Sequence, residues 1–243
     1  MVKSLWDADA VATTVFLADY AVNPLGVKSD AAIANVVGRW LSRAAASDSL
    51  VIACNTLSIR YHQLQESFGA ATLRLNVVSM VDCFAAMAEH EASRLSGKKI
   101  LIVGTEFTAG QGLYADILDR VVPGTSVDTI AATELERTIA RFGRWSGQDD
   151  ASLTVELRQA IGDADIVVLA CTCFPMVKAD LQGLFPGVVF LDPGAWSPGL
   201  VSANGVAGQR KLSLEVTGNA VPQARVVEYA KSYLGTDSIR TNT

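Results

Sequence analysis

Histidine is scarce in this sequence of 243 residues, which contains only His62 and His90. Histidine is the commonest acid–base group near neutral pH and a frequent metal ligand, so a site built on several histidines is excluded. Charged residues are also few, at 19%, and the formal net charge is -5. Because the lysines and arginines are scattered, the basic surface typical of nucleic-acid-binding proteins is missing, and we expect no nucleic-acid partner.

Long apolar runs are missing as well. No apolar stretch has the length of a membrane span, and the first nine residues include acids where a signal peptide would be apolar. We therefore expect a cytoplasmic protein with no membrane partner. In that compartment cysteines are expected to be reduced thiols. The sequence has four of them, at Cys54, Cys83, Cys171 and Cys173.

Apolar residues are abundant, since half of the chain is hydrophobic. A chain of this length buries about 70% of its unfolded surface, so it needs no disulfide or metal to hold a core. Apolar runs of strand length, such as residues 100–103 and 166–171, alternate with segments of helical periodicity. This alternation is typical of parallel sheets covered by helices on both faces. We predict an α/β fold.

Local signals predict where several helices begin. Ser29 has the position of an N-cap, and Thr133 with Glu136 has the spacing of a capping box. Another helix is predicted to begin at Thr108 and to continue past Leu113 to Leu118.

Two segments of the chain echo each other. Residues 50–56 read Leu-Val-Ile-Ala-Cys-Asn-Thr, and residues 167–173 read Val-Val-Leu-Ala-Cys-Thr-Cys. In parallel α/β sheets ligands lie beyond the carboxyl ends of the strands, where Cys54 and Cys171 are predicted. The echo predicts two similar lobes with a site in the cleft between them. The lobes are expected to contain residues 1–95 plus 205–243 and residues 96–204.

Cys54 and Cys171 are interpreted differently when each is taken alone and when the two are taken together. Alone, each is a small buried hydrophobe, and Asn55, Thr56 and Thr172 are ordinary helix caps. As a pair, two thiols near helix N-termini, where the dipole favours thiolate, can serve one carbon from opposite sides. One removes a proton from a stereocentre and the other returns a proton to its opposite face. The carbanion formed beside a carboxylate needs hydrogen-bond donors, which the three polar residues can supply.

Four segments resemble the aspartate/glutamate racemase superfamily, and glutamate racemases in particular. Residues 53–58, Ala-Cys-Asn-Thr-Leu-Ser, resemble the first cysteine motif, and residues 170–175, Ala-Cys-Thr-Cys-Phe-Pro, resemble the second. Residues 17–29 are similar to the family's substrate loop. Residues 104–108, Gly-Thr-Glu-Phe-Thr, are similar to its Gly-Thr-x-x-Thr segment. The segments occur in the family's order, from about residue 14 to the last helix.

The resemblance implies a racemase that inverts glutamate, aspartate or a close analogue without cofactor or metal. It implies that Cys54 takes the proton from the D enantiomer and Cys171 from the L enantiomer. The residues that it implies for holding the substrate are Pro24, Gly26, Asn55, Thr56, Thr105, Thr108 and Thr172. It also implies a role in supplying D-glutamate for the bacterial cell wall.

The sequence departs from the family at three places. The family's opening strand and Asp-Ser-Gly turn have no counterpart, Pro24-Leu25-Gly26 replaces its Pro-Tyr-Gly, and Cys173 replaces the histidine of its second motif. A sheet that lacks a strand exposes an edge, so we expect a homo-oligomer in which the partner or the C-terminal segment covers that edge. Cys173 is expected to be a neighbour of the site and neither its acid nor its base.

Two other functions stay open. One is a catalytically silent binding or regulatory protein on the same scaffold. The other is a sister activity on an activated carbon acid, such as hydantoin racemisation, arylmalonate decarboxylation or maleate isomerisation. Cys171 and Cys173 have the spacing of a metal or redox pair, but no second ligand pair accompanies them.

Overall fold

Each strand predicted from the sequence forms, within a few residues of its expected limits. The structure, a computed structural model, describes residues 1–8, 13–22, 25–72, 75–142, 145, 151–201, 211–218, 222–235 and 239–241. Its helices and strands are, in chain order, α1 (Val2–Asp7), β1 (Thr13–Asp19), α2 (Asp30–Arg43), β2 (Ser49–Ile52), α3 (Asn55–Gln63), β3 (Asn76–Ser79), α4 (Met80–His90), α5 (Ala92–Leu95), β4 (Lys99–Gly104), α6 (Glu106–Gly110), α7 (Leu113–Val121), β5 (Ser126–Ala131), α8 (Thr133–Phe142), α9 (Ala151–Ile161), β6 (Ile166–Ala170), α10 (Lys178–Leu184), β7 (Val189–Leu191), β8 (Lys211–Thr217), α11 (Gln223–Leu234) and β9 (Ile239–Thr241). Short 3-10 helices cover Tyr20–Val22, Ala44–Ala46, Gln65–Thr72, Phe174–Val177 and Pro193–Gly199.

The chain divides into two compact units. The first contains residues 1–51, 64–78 and 197–243, and the second contains residues 52–63 and 79–196. The lobe boundaries expected from the sequence stay a prediction, and these units differ from them mainly in that residues 52–63 and 79–95 join the second unit. Of the helices that the structure describes, none combines the length and the apolarity needed to cross a bilayer.

A parallel sheet with the order β1-β8-β9 lies in the first unit. β1 pairs with β8 in a register that sets Thr13 opposite Lys211 and Asp19 opposite Thr217. At the end of β1, the Asp19 carboxylate accepts hydrogen bonds from the Trp40 indole at 3.1 Å and from the Thr217 hydroxyl. β2 and β3 pair with each other in a separate two-stranded sheet.

The start of α2 forms as predicted. The Ser29 hydroxyl accepts a hydrogen bond from the Ala32 N–H at 3.4 Å. The helix then buries one face, which carries Ile33, Val36, Val37 and Leu41.

The second unit is built on a four-stranded parallel sheet with the order β5-β4-β6-β7. β4 and β6 occupy its centre, where every residue of β6 is buried. The register sets Gly104 at the end of β4 opposite Ala131 on one side and Ala170 on the other. The three strands therefore end level with one another, and the loops that follow them leave the same edge of the sheet.

Side chains of β4 and β6 alternate between two buried clusters, as the period of two in a strand requires. One face of the sheet packs against α4 and α7, in a cluster that contains Ile100, Ile102, Ile166, Val168, Phe84, Met87, Ile117 and Leu118. The other face packs against α8, α9 and α10, in a cluster that contains Leu101, Val103, Val167, Leu169, Leu135, Ile139, Trp145, Leu153, Leu157 and Leu181. Both faces of the sheet are covered, as the continuous apolar strands predicted.

Two expected helix starts are wrong in detail. The helix predicted from Thr108 to Leu118 is two helices, because Gly112 adopts a left-handed conformation with φ of 69° between α6 and α7. Glycine adopts this conformation without the steric cost that other residues bear. Thr133 lies inside the first turn of α8, and its hydroxyl accepts a hydrogen bond from the Glu106 N–H at 3.2 Å.

Candidate active site

Cys171 directly follows the buried strand β6. The chain then turns sharply, since the Phe174 N–H donates to the Cys171 carbonyl at 3.0 Å and the Met176 N–H donates to the Cys173 carbonyl at 3.1 Å. This turn brings the two thiols together, with Cys171 Sγ 3.3 Å from Cys173 Sγ. Both side chains are partly exposed. Cys173 therefore lies in contact with Cys171, and its expected place as a neighbour of the site stays a prediction.

Cys54 lies between β2 and α3, in a turn that Ser58 fixes. The Ser58 N–H donates to the Cys54 carbonyl at 2.8 Å. The fully buried Ser58 hydroxyl donates to the Ile52 carbonyl at 3.1 Å and accepts from the Met80 N–H at 2.9 Å. The backbone N–H groups of Leu57 and Thr56 also hydrogen-bond the Cys54 sulfur. Thr56, expected to bind substrate, thus contacts Cys54 through its backbone.

A hydrogen bond joins the two cysteine motifs. The Thr172 hydroxyl donates to the Ala53 carbonyl at 3.2 Å, so the residue after Cys171 holds the residue before Cys54. The echo in the sequence thus corresponds to two loops in direct contact. Thr172 was expected to give a donor to the substrate, but its hydroxyl proton is engaged in this contact.

Thr105 and Thr108 form the loop that leaves β4, beside the Cys171 loop. The Thr105 hydroxyl caps α6, accepting from the Thr108 N–H at 3.5 Å and donating to the Thr108 hydroxyl at 3.2 Å. Gly104 permits this close approach, because a Cβ there would lie 3.0 Å from Thr108 Cγ2. The threonine hydroxyls are consequently held at the same edge of the sheet as Cys171.

Asn55, the residue after Cys54, is a buried polar side chain with 4% of its surface exposed. Its Oδ1 accepts a hydrogen bond from the Tyr114 hydroxyl at 2.6 Å, and Tyr114 stacks on Phe84 at 4.2 Å between ring centroids. Among the residues that the structure describes, nothing accepts a hydrogen bond from Asn55 Nδ2. A buried N–H without an acceptor is costly, so the amide is prepared to receive an oxygen from a ligand.

The surroundings of the thiols separate their protonation states. Burial raises the pKa of Cys54 to about 11, against the hydrogen bonds from the backbone of α3. The hydrogen bond from the Cys173 thiol lowers the pKa of Cys171. Burial acts in the opposite direction, and the backbone N–H groups of Cys173 and Thr172 lower the pKa further. The same thiol–thiol hydrogen bond and burial raise the pKa of Cys173. Cys171 is therefore the thiol that ionises first, and Cys54 stays protonated.

Glu136, in the first turn of α8, is a charged group near the thiols that the sequence did not single out for this role. Burial raises the pKa of its carboxyl, and its negative charge contributes to raising the pKa of all three thiols, Cys54, Cys171 and Cys173. The capping-box spacing drew attention to Glu136 only as a helix signal. Its position after β5, next to β4, is what brings it to this edge of the sheet.

Pro24, Gly26 and Cys83 are each a separate case. Pro24 lies outside the described residues, and Gly26 lies in the first unit, in the turn before α2. Cys83 is fully buried in α4, and burial raises its pKa to about 12, so it is an inert core thiol. Within the described ranges, no group of three or more His, Cys, Asp or Glu side chains is arranged to hold a metal ion.

Comparison with known proteins gives the family. A family model described as Asp/Glu/Hydantoin racemase matches residues 13–196. The chain belongs to this family. Glutamate racemase from Sphingopyxis alaskensis is 34% identical to this family member over 223 residues, which cover 86% of the chain and 78% of the relative. Glutamate racemase from Glaesserella parasuis is 28% identical over 183 residues, or 72% of the chain.

The match spans 65% of the Glaesserella parasuis relative, which is less than two thirds of its length. Among solved structures, glutamate racemase from Francisella tularensis subsp. tularensis in complex with D-glutamate superposes with a TM-score of 0.75. The superposition covers 99% of the chain and 90% of that structure at 17% identity. At this identity the likeness shows that the racemase-family member has the same α/β fold.

Proposed function

We propose that this protein is a cofactor-independent racemase that inverts an acidic amino acid, with Cys54 and Cys171 as its two acid–base groups. The observation that carries the proposal is the hydrogen bond from Thr172 to the Ala53 carbonyl, which joins the two cysteine loops. Two loops held in this way bring both thiols to one edge of the second unit. The opposite directions of their pKa shifts supply one acid and one base.

The reaction needs one proton transfer at each thiol. A Cys171 thiolate takes the α-proton from one face of the substrate, which leaves a carbanion stabilised by the adjacent carboxylate. The Cys54 thiol then delivers its proton to the opposite face, so the product is inverted and the two thiols have exchanged protonation states. Since Cys171 is the thiol that ionises first, the resting protein is ready for the enantiomer whose proton faces Cys171. Family resemblance makes this the L enantiomer.

Donors around the thiols fit a substrate with carboxylates. The unpaired Asn55 Nδ2 offers an N–H to one carboxylate oxygen, and the hydroxyls of Thr105 and Thr108 lie on the neighbouring loop. Hydrogen bonds of this kind stabilise the charge that develops when the α-proton leaves. For Thr56, Thr172, Pro24 and Gly26 we propose contact with the substrate, as the family resemblance implies, and no donation by a side chain. Glutamate is the first substrate to test, because the relatives bear the name glutamate racemase and the Francisella tularensis structure contains D-glutamate.

We further propose a cellular location and an oligomeric state. An enzyme that supplies D-glutamate for cell-wall synthesis works in the cytoplasm, where its substrate is made, and we propose that location. We also propose that the protein forms a homo-oligomer.

Exchange of the α-proton tests the function. The protein is incubated in deuterated water with each enantiomer of glutamate and aspartate and with hydantoins, and loss of the α-proton signal is followed by NMR. We expect exchange and inversion with an acidic amino acid. Exchange with hydantoins alone would transfer the proposal to a sister activity, and silence across the panel would favour a binding protein.

Variants of the cysteines complete the test. Cys54→Ser and Cys171→Ser are expected to abolish inversion, since a serine hydroxyl is a far weaker acid than a thiol. Cys83→Ala is the matched control, because Cys83 is a core thiol away from the cysteine loops. The two-thiol mechanism is wrong if either serine variant inverts the substrate as fast as the unaltered protein.

A further inference from the structure

We propose that Cys171 and Cys173 are a redox-modification site, at which a hydroperoxide joins the two thiols in a reversible disulfide. Formation of this bond rests on the geometry alone. Its consequence, loss of the Cys171 base and hence of racemisation, rests on the proposed function.

Geometry favours the bond. The two Sγ atoms lie 3.3 Å apart and must approach to the ~2.05 Å of an S–S bond. The turn closed by the Phe174 N–H on the Cys171 carbonyl already folds the chain back, so a rotation of the side chains supplies most of the remaining approach. Both thiols are partly exposed, which admits a small oxidant such as hydrogen peroxide.

The chemistry balances with a hydroperoxide as the only added reagent. The Cys171 thiolate attacks the peroxide oxygen, which gives a sulfenic acid and releases hydroxide, or, from an organic hydroperoxide, an alkoxide that takes a proton from water. The Cys173 thiol then attacks the Cys171 sulfur, the S–S bond forms, and water leaves with the thiol proton. Two thiols are oxidised and one peroxide is reduced. Cys171 is the attacking thiol because its pKa is lowered, and Cys173 is the resolving thiol.

The product is expected to be easily reduced. Cysteines two positions apart close a small ring through the backbone, and strained disulfides are the labile ones in thiol exchange. Ordinary dithiols therefore return the pair to its reduced state. Without the resolving thiol, a sulfenic acid at Cys171 proceeds to the sulfinic acid, which dithiols do not reduce.

Peptide mapping tests the bond without any substrate. Cleavage after lysine and arginine places Cys171 and Cys173 on residues 159–178, Cys54 on residues 44–60 and Cys83 on residues 75–94. The reduced protein is treated with a small excess of hydrogen peroxide, then denatured and labelled with iodoacetamide. It is then digested, and the masses of the peptides are measured by mass spectrometry. We expect peptide 159–178 to lose the mass of two hydrogens and to take no label, while the other two peptides keep theirs.

Other products would overturn the proposal. These are a cross-link between peptides 44–60 and 159–178, a sulfinic acid at Cys171 in the unaltered protein, or full labelling of both thiols. If the bond forms in a protein that inverts no substrate, the proposed function fails and the redox site stands. If the reduced protein racemises and peptide 159–178 keeps both labels after peroxide, the redox site fails alone.

Variants separate the resolving thiol from general oxidation. Cys173→Ser keeps a hydroxyl that can donate to the Cys171 sulfur, and it is expected to form no disulfide and to accumulate sulfinic acid at Cys171 that dithiothreitol does not reverse. Cys83→Ala, the core control, is expected to close and reopen the pair as the unaltered protein does. In the unaltered protein any racemase activity should fall as label is lost from peptide 159–178 and return with dithiothreitol. Reversible loss of activity in Cys173→Ser would contradict the assignment of Cys173.

Discussion

Cys54 and Cys171 are chemically identical groups whose surroundings give them different proton affinities. Burial raises the pKa of Cys54. At Cys171 the hydrogen bonds from the Cys173 thiol and from two backbone N–H groups outweigh the effect of burial, so the pKa is lowered. If inversion of the L enantiomer needs a Cys171 thiolate and a Cys54 thiol, its rate must depend on pH through both groups. The lowered pKa belongs to the base and the raised pKa to the acid, which keeps both in their working forms over a wide pH range.

A pH profile of kcat/KM for L-glutamate makes this measurable. Activity should rise as Cys171 loses its proton, with an inflection below the ordinary pKa of a thiol. It should fall again only near pH 11, where Cys54 loses its proton. A single alkaline inflection near the ordinary thiol value, with no plateau before it, would contradict the asymmetry.

Glu136 offers a way to shift both inflections. Its charge contributes to raising the pKa of Cys54 and of Cys171, so Glu136→Gln should move both limbs of the profile to lower pH, by up to about one unit. Glu134→Gln removes the same charge from an exposed position on α8 that pairs with Arg137, and it should leave the limbs in place. Equal shifts in both variants would mean that general surface charge, and not Glu136, sets the thiol pKa values.

Sequence patterns found the two cysteines but not their partners. An apolar run followed by Ala-Cys predicts a thiol at a strand end, and β6 ends directly before Cys171. The contact with Cys173 did not follow, because side chains two residues apart on a strand are held about 6–7 Å apart, and only the observed turn brings the two sulfurs together. Glu136 was missed because its role depends on which strands neighbour β5, and that is a property of the sheet.

At the scale of the elements, the turn from β2 to α3 depends on one hydroxyl. Ser58 makes two buried hydrogen bonds to backbone groups, one to the Ile52 carbonyl before the Cys54 loop and one from the Met80 N–H at the start of α4. Ser58→Ala should lower the free energy of unfolding by about 1–3 kcal/mol, since the buried Met80 N–H and Ile52 carbonyl lose a partner. Urea unfolding followed by circular dichroism measures this.

The control for this variant is Ser42→Ala. Ser42 also donates to a backbone carbonyl, that of Gly38 at 2.9 Å, but it is exposed, so water replaces the bond. We expect a change within about 0.5 kcal/mol there. Equal losses in the two variants would show that burial of the Ser58 hydrogen bonds contributes nothing.

Elements with strong local signals were predicted well, and those set by distant pairing were not. β4 and β6 are continuous apolar runs, and α2 carries its own cap. β8 was missed, because its alternating Lys-Leu-Ser-Leu-Glu-Val-Thr pattern is weak alone and becomes a strand through pairing with β1. The break between α6 and α7 was missed because a single glycine inside a helical pattern does not reveal its φ.

For the whole molecule, β1 raises the question of assembly. β1 is the first strand in the order β1-β8-β9, so its other side carries no partner among the strands that the structure describes. Val15, on this strand, is an apolar side chain with 56% of its surface exposed. Open edges with exposed apolar residues favour pairing with another chain, which agrees with the proposed homo-oligomer.

Val15→Lys tests that assembly. A lysine on an edge strand opposes edge-to-edge pairing, so sedimentation velocity should show a smaller species than the unaltered protein at equal concentration. Val155→Lys adds the same charge at a similarly exposed valine on α9, with 52% exposure, and should leave the assembly unchanged. An unaltered protein that sediments as a monomer at high concentration would refute the oligomer itself.

The fold class was predictable because α/β proteins follow from the order and periodicity of their elements. Continuous apolar strands require cover on both faces, and the two clusters around β4 and β6 provide it. The division of the chain into two units was harder to predict from the sequence. Residues 52–63 and 79–95 join the second unit because α4 packs with α7 and α3 packs with α4 and α6, and no local pattern encodes such packing.

The level ends of β4 and β6 restrict how this chain can change in length. One residue inserted into either strand would advance its loop by about 3.3 Å and turn each later side chain to the other face, which would part Gly104 from Ala170. The exposed turns at Gly97 and Gly162, which precede these strands, can lengthen without moving the register. A reporter peptide or affinity tag placed in either turn would therefore leave the cysteine loops undisturbed.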